Sequence, residues 1–376
     1  MRTLGLYIHV PFCRQKCLYC DFCSFPSLDG SVRARYAERM RHDLAERAEG
    51  CADCKVDTVY FGGGTPTVME PTALVELLDC IRAHYHLAPD AEITLECNPA
   101  TATERDLALL RRGGFNRLSL GLQSTHESEL RALGRIHTFS DFCETFSAAR
   151  AAGFENISAD LMSGIPGQTR ESWLGSIERL CDLAPEHISA YGLIVEEGTP
   201  FFEMRDRLDL PDEDAARQMY FDGIAALAAR GYRQYEISNF ARAGYESRHN
   251  LKYWNCDEYL GFGPSAYSDY GGDRFGNARD LEGYLDGKPI ECERETPSRE
   301  ARINEYVMLR MRLCEGVRER DFARRFGQSF TERFAPMLER YEKMGLVRLS
   351  PSGAAFTPEG FYVSNAILSE LLDFSV

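Results

Sequence analysis

The feature that most restricts how this chain can fold is the alternation of short β-rich runs with amphipathic helical stretches over its first 240 residues. Residues 4–10, 56–61, 92–97, 117–122, 157–161 and 187–193 read as strands, and 31–48, 71–85, 103–112, 141–152 and 171–183 carry helical periodicity. Strands separated by helices build parallel βαβ units, so six in succession predict an α/β fold with a partial (β/α)6, TIM-like barrel. Functional groups of such barrels gather at the C-terminal ends of the strands.

The polar residues that stand out fall at those ends. Directly after the first strand comes a C-x3-C-x2-C run, Cys13, Cys17 and Cys20. Three thiolates on one loop can hold a 4Fe-4S cluster while leaving one iron without a protein ligand, and an open metal position marks an exchangeable ligand. A zinc site completed by Cys23 or the Cys51/Cys54 pair is the alternative. That pair lies in a polar helix-to-strand connection and reads as incidental thiols. Gly62-Gly63-Gly64-Thr65-Pro66 follows the second strand, where glycines allow close backbone approach and N–H groups can face an anion. Glu96, Gln123 and Asp160 end later strands and can hydrogen-bond hydroxyls or an ammonium group. Each alone is compatible with ordinary surface placement; in order around a barrel they form a set. His9 shares a strand face with Tyr7 and points to the barrel mouth.

Composition sets the outer limits. At 376 residues, two domains are expected. The net charge of −15 repels phosphate backbones, so no nucleic-acid partner is expected. No apolar run approaches the roughly 20 residues needed to span a bilayer, and the start resembles no signal peptide. The reading is cytoplasmic and not an integral membrane protein, and 13 cysteines there are not a disulfide framework. Residues 1–235 read as the barrel and 236–299 as an irregular connecting segment. Residues 300–376 read as a smaller helical, winged-helix-like C-terminal domain. With 11 basic and 11 acidic side chains, this last part lacks the charge of a DNA reader and is expected to be structural or lid-like.

The cysteine motif closely resembles that of the radical SAM superfamily. The resemblance implies a 4Fe-4S cluster on Cys13, Cys17 and Cys20, with the amino and carboxylate groups of S-adenosylmethionine (SAM) on the open iron. One electron from such a cluster cleaves the sulfonium to a 5′-deoxyadenosyl radical. It further implies Tyr19 near adenine, Gly63, Gly64 and Thr65 around the amino group, and Arg135 for the carboxylate. Tyr7, Glu96, Gln123 and Asp160 complete the expected SAM site.

A narrower resemblance covers nearly the whole chain. Tyr7 to Cys13, Gly62 to Pro66, Gly121-x-Gln123, Leu133-Gly134-Arg135 and Asp160-Leu161 together resemble the oxygen-independent coproporphyrinogen III oxidase family. That family has an oxidase branch and a haem-chaperone branch. The oxidases carry a fourth cysteine in C-x3-C-x2-C-x-C, where this chain has Phe22, with Cys23 one residue late. They also carry an N-terminal segment before the first barrel strand. His249-Asn250-Leu251-Lys252-Tyr253-Trp254 fits the H-N-x-x-Y-W motif associated with haem in the chaperones. The resemblance therefore implies a haem chaperone. His249 would be the haem-iron ligand, Tyr253 and Trp254 would lie against the macrocycle, and Arg248 or Lys252 would face its propionates. A hydrogen-bonded histidine packed by aromatics is the alternative for His249. The expected cofactors are the cluster, SAM and haem. The expected partners are an electron donor and acceptor haem proteins, with respiratory, membrane-associated ones as candidates. No residue is assigned as catalytic, and oxidative decarboxylation of coproporphyrinogen III is the alternative function.

Overall fold

A computed structural model describes residues 1–26 and 29–372. The six expected strands are present as β1 (Arg2–Val10), β2 (Cys54–Gly63), β3 (Leu87–Cys97), β4 (Arg117–Gln123), β5 (Ile157–Ser163) and β6 (His187–Gly192). Helices α1 (Gly30–Ala48), α2 (Pro71–His84), α3 (Glu104–Gly113), α4 (Phe139–Ala151) and α5 (Arg170–Asp182) connect them, followed by α6 (Glu213–Ala229). Thr103, Thr138 and Thr169 open α3, α4 and α5 with reciprocal capping boxes, which fixes where each strand-to-helix turn ends.

The two-residue strand period sorts side chains cleanly. Leu4, Leu6, Ile8 and Val10 of β1 are fully buried under the helices, against a core that includes Tyr36, Met40 and Leu44 of α1 and Leu74, Leu77 and Ile81 of α2. Each such side chain contributes about 1.5–3 kcal/mol relative to exposure. The alternate residues, Gly5, Tyr7 and His9, face the lumen.

The sheet is larger than the alternation alone predicts. Segment 236–299, read as a connection, supplies strands to the barrel sheet. After β7 (Arg233–Gln234) come β8 (Asn239–Ala241), β9 (Tyr259–Phe262), β10 (Tyr267–Tyr270), β11 (Asp273–Asn277) and β12 (Glu291–Glu295). The order is β12-β11-β10-β9-β1-β2-β3-β4-β5-β6-β8-β7. β9 pairs parallel with β1, giving seven parallel strands, and antiparallel strands finish both edges. The barrel stays open, since β12 and β7 are the two ends of the sheet.

Between β8 and β9 lies α7 (Arg248–Asn255), which carries the His-Asn motif and closes the floor of the lumen. The Glu92 carboxylate accepts hydrogen bonds from the backbone N–H groups of Arg248 and His249, both at 3.0 Å. The positive end of the helix thus meets a buried anion. Lys252 pairs with Asp57 at 2.7 Å. Gly5 makes room for the helix, because a Cβ there would lie 2.8 Å from Lys252 Cδ.

The C-terminal domain has the expected winged-helix form. Helices α8 (Arg299–Arg310), α9 (Glu319–Phe326) and α10 (Phe330–Lys343) pack with β13 (Val317–Arg318), β14 (Val347–Ser350) and β15 (Gly353–Phe356) around Phe322, Phe330, Phe334 and Phe356. It holds the far end of α7: Arg325 donates to the carbonyls of Cys256 (2.7 Å) and Asn255 (3.2 Å), and Arg310 bonds the Asn255 side chain.

Removing the Glu92 carboxylate strands two buried N–H donors. Glu92→Ala is expected to cost about 2–4 kcal/mol of stability and Glu92→Gln roughly half of that, read from denaturant unfolding midpoints.

Candidate cluster and cofactor site

The three cysteines sit on the loop that leaves β1 at the barrel mouth. Cys13 is buried, Cys17 and Cys20 are partly exposed, and the Cys20 N–H donates to the Cys17 carbonyl at 3.3 Å, curling the loop. Donors approach the sulfurs: Thr65 Oγ1 lies 3.5 Å from Cys13 Sγ and Arg135 Nη1 lies 3.4 Å from Cys17 Sγ. Burial pushes the Cys20 thiol up, and the neighbouring Cys17 and Cys13 add to it, while the Phe22 N–H opposes. Three sulfurs gathered on one curled loop suit a polycationic cluster, whose charge favours the thiolate form. The Cys51/Cys54 pair is at the other end of the barrel, since Cys54 pairs with Arg2 at the start of β1.

Beside the loop is a cavity of about 130 Å³. Its walls include Cys13, Cys17, Tyr19, Gly63, Gly64, Thr65, Glu96, Gln123, Arg135 and Asp160. Nine expected SAM residues were named, and eight line this space; Tyr7 lies deeper. Gly63 adopts φ +111°, and a Cβ there would meet the His9 ring at 2.5 Å, so both its conformation and its contacts require glycine. Its N–H donates to Glu96 Oε2 at 3.1 Å, and Tyr60 donates to Glu96 Oε1 at 2.8 Å.

Arg135 reaches back across the mouth. It donates to Asn98 Oδ1 at 2.8 Å and to the Gly121 carbonyl, and Gly121 leaves the guanidinium its space. Its buried Nε has no partner, an orphan donor suited to a carboxylate. Gln123 holds a left-handed backbone (φ +71°), and its amide oxygen accepts from Tyr191 Oη at 2.8 Å. Asn98, Tyr60, Ser119 and Tyr191 also belong to the site and were not singled out from sequence. The signal available for Asn98 is its place two residues beyond Glu96; it donates to Thr65 Oγ1 at 2.7 Å and so ties that residue to Arg135.

Burial raises Glu96 to about 7 and Asp160 to about 6; the Tyr60 hydrogen bond to Glu96 and the Ser189 hydrogen bond to Asp160 pull the other way. Both carboxyls are therefore poised to ionise when a cation or a set of hydroxyls arrives. Burial lowers His9, whose Nε2–H donates to the Cys23 carbonyl (2.8 Å) and whose Nδ1 accepts from Tyr7 Oη (3.1 Å). Donor set, orphan guanidinium and carboxylate pair fit a thiolate-bound cluster with SAM beside it.

The haem candidates are placed differently. His249 is wholly buried inside the barrel. Its Nδ1 is 2.8 Å from Thr58 Oγ1, its Nε2 is 2.8 Å from Tyr253 Oη, and its ring lies 5.2 Å from that of Tyr60. Burial and nearby Lys252 lower it to about 3, so it is neutral. Tyr253 sets its ring edge-on to Tyr259 at 4.6 Å, and Trp254 is partly buried. In this arrangement His249 presents no free nitrogen to a ligand.

Comparison with known proteins agrees with the motifs. Residues 7–180 match the radical SAM superfamily and residues 298–363 match the HemN C-terminal domain. The heme chaperone HemW of Bacillus subtilis (strain 168) is 35% identical over 374 residues, covering 97% of this chain and 98% of that protein. The chain belongs to the HemW family of radical SAM proteins. The HemW of Escherichia coli (strain K12) is 37% identical over 85% of each chain. Among solved structures, the coproporphyrinogen III oxidase HemN of Escherichia coli, described as a radical SAM enzyme, superposes with a TM-score of 0.87. It is 25% identical and covers 100% of this chain and 91% of its own.

Two outcomes are expected. Cys13→Ser, Cys17→Ser or Cys20→Ser removes most of the iron retained after reconstitution, whereas Cys51→Ser and Cys54→Ser leave it, by iron and sulfide analysis. SAM affinity strengthens as pH rises through the window of about 6 to 7 where Asp160 and Glu96 ionise, by roughly tenfold between pH 5.5 and 8 in calorimetric titration. The ligand-free chain runs the opposite way. From the ordinary carboxyl range up to about 7 it holds protons that the unfolded chain has released, so this contribution to stability falls as pH rises.

Proposed function

We propose that this chain is a haem chaperone that binds haem and hands it to acceptor haem proteins, with a 4Fe-4S cluster and SAM held at the barrel mouth. The observation that carries this reading is the similarity to heme chaperones along 97% of the chain. Phe22, standing where the oxidase branch has its fourth cysteine, supports it.

Cys13, Cys17 and Cys20 hold the cluster, and Arg135, through its orphan Nε, takes the SAM carboxylate. Gly63, Gly64 and Thr65 flank the amino group, Glu96, Gln123 and Asp160 meet the ribose or ammonium, and Tyr19 covers the adenine side. The cluster supplies single electrons and an open coordination site when bound. Tyr7 acts from beneath, through His9, to fix the cysteine loop at the Cys23 carbonyl.

His249 serves as an iron ligand in a state where α7 has withdrawn from Glu92, which separates its Nδ1 from Thr58 Oγ1. Tyr253 and Trp254 move with it and become available to the macrocycle. No helix among the described residues is long and apolar enough to cross a membrane.

Anaerobically reconstituted protein is tested in parallel for haem transfer to an apo-haem protein and for coproporphyrinogen III turnover. Haem transfer without turnover is expected. Steady protoporphyrinogen formation overturns the reading in favour of the oxidase. For His249→Ala, a ligand role predicts a weakened Soret band in the haem-loaded protein. An unchanged Soret band with a lowered melting temperature assigns His249 to the floor of the barrel alone.

A further inference from the structure

Phe22 is the most exposed aromatic side chain among the described residues, with 68% of its surface open. A single exposed apolar residue is ordinary on a protein surface. What sets Phe22 apart is the way its surroundings are fastened. Lys16 Nζ donates to the Phe22 carbonyl at 3.1 Å, and Arg279 Nη1 donates to the carbonyl of Asp21 at 3.2 Å. Two cations are thus anchored on consecutive carbonyls at the base of one exposed ring, and Lys16 and Phe22 stand at the rim of the cavity beside the cysteine loop. Arg279 also pairs with the Asp21 carboxylate at 3.2 Å, yet its side chain remains 59% exposed, with donors to spare. Lys16 and Arg279 against Asp21 leave a local positive excess on a chain whose net charge is −15.

We propose that Phe22, flanked by Lys16 and Arg279, is the surface on which haem docks, the ring lying against the porphyrin face and the two cations meeting its propionates. The proposal rests on the haem-chaperone reading and deepens it. A planar, largely apolar dianion matches this patch in both respects: aromatic faces stack on one another, and the carboxylates find two cations beside the ring. His249, the proposed iron ligand, has no exposed surface in this structure, so it is not where haem first meets the protein; the Phe22 patch is the surface of first contact. The patch also explains why an aromatic residue stands at position 22. A fourth cysteine there would address metal, whereas an exposed phenyl ring beside the third cluster ligand addresses a flat apolar ligand.

The test is a Soret titration of cluster-loaded protein with haem and with haem dimethyl ester, whose propionates are neutralised. Phe22→Ser is expected to weaken haem binding about tenfold or more. Arg279→Gln and the Lys16→Gln/Arg279→Gln pair are expected to weaken haem severalfold while leaving the ester unaffected. Iron content is measured for each variant. Arg279 is outside the cysteine loop, so its response to haem against ester decides the question even if Phe22→Ser loses iron. Equal affinities of the unaltered protein and the variants for haem, with no preference for haem over its ester, overturn the site while leaving the chaperone reading intact. Normal haem binding by Phe22→Ser with failed transfer to an apo-haem protein also overturns it, making the patch a protein-docking surface. An unaltered protein that binds no haem overturns the chaperone reading, and this site with it.

Discussion

The interaction on which the rest of the structure depends is the Glu92 carboxylate meeting the N-terminus of α7 inside an open barrel. An open sheet with a polar lumen needs a floor, and α7 provides it only while its first N–H groups have an acceptor. From that contact a column of side chains rises to the mouth. His249 bonds Thr58 and lies beneath Tyr60; Tyr60 donates to Glu96; Glu96 accepts from Gly63 beside the cysteine loop. The floor of the barrel and its cofactor site are therefore one continuous set of contacts. The C-terminal domain enters the same system from below, because Arg310 and Arg325 fasten the other end of α7.

The electrostatics of the lumen follow from this enclosure. Arg117 is 2% exposed, and its Nε has no partner. Its charge helps to pull Glu96 and Asp160 down against the dominant effect of burial, which raises both. With its Nε unpartnered, this guanidinium biases the two carboxyls towards the ionised state that a cationic ligand needs. The same charge adds to burial in keeping His187 and His249 neutral. Neutral imidazoles can bridge hydroxyls at both nitrogens, as His187 does between Ser158 (2.7 Å) and Tyr235 (2.8 Å), and the floor is assembled from such bridges.

What sequence reveals here divides along locality. The six barrel strands, the cysteine loop and the polar residues at strand ends are legible because each depends on spacing within one segment: a two-residue period, a short cysteine interval, a glycine run after a strand. Strand β9 is not legible, because four residues, Tyr259–Phe262, become a parallel neighbour of β1 through pairing about 250 positions away in sequence. Asn98 escapes notice for a similar reason, since it joins Thr65, 33 positions before it, to Arg135, 37 positions after it. The exposure of Phe22 is likewise tertiary: nothing in C-x2-C-D-F states that Lys16 and Arg279 will hold its backbone while its ring faces water.

The His-Asn motif places a buried imidazole and its hydrogen-bonding phenol on one helix. Four-residue spacing puts His249 and Tyr253 one turn apart on the same face of α7, so the phenol that would lie beside a macrocycle instead caps the imidazole. Neutral hydrogen bonds of this kind are worth about 1 kcal/mol each in net terms. Those to Thr58 and Tyr253 are small beside the two charge-assisted bonds to Glu92 and the buried Lys252–Asp57 pair. The barrier to exposing His249 thus lies in the anchoring of its helix rather than in its own contacts. The imidazole on α7 touches Tyr60, and Tyr60 holds Glu96, so the anchoring of α7 at Glu92 and Arg325 and the mouth of the barrel belong to one set of contacts. If His249 is the haem-iron ligand proposed above, these contacts tie its exposure to the cofactor site, which is the linkage a carrier needs if haem is to be taken up in one state and given away in another.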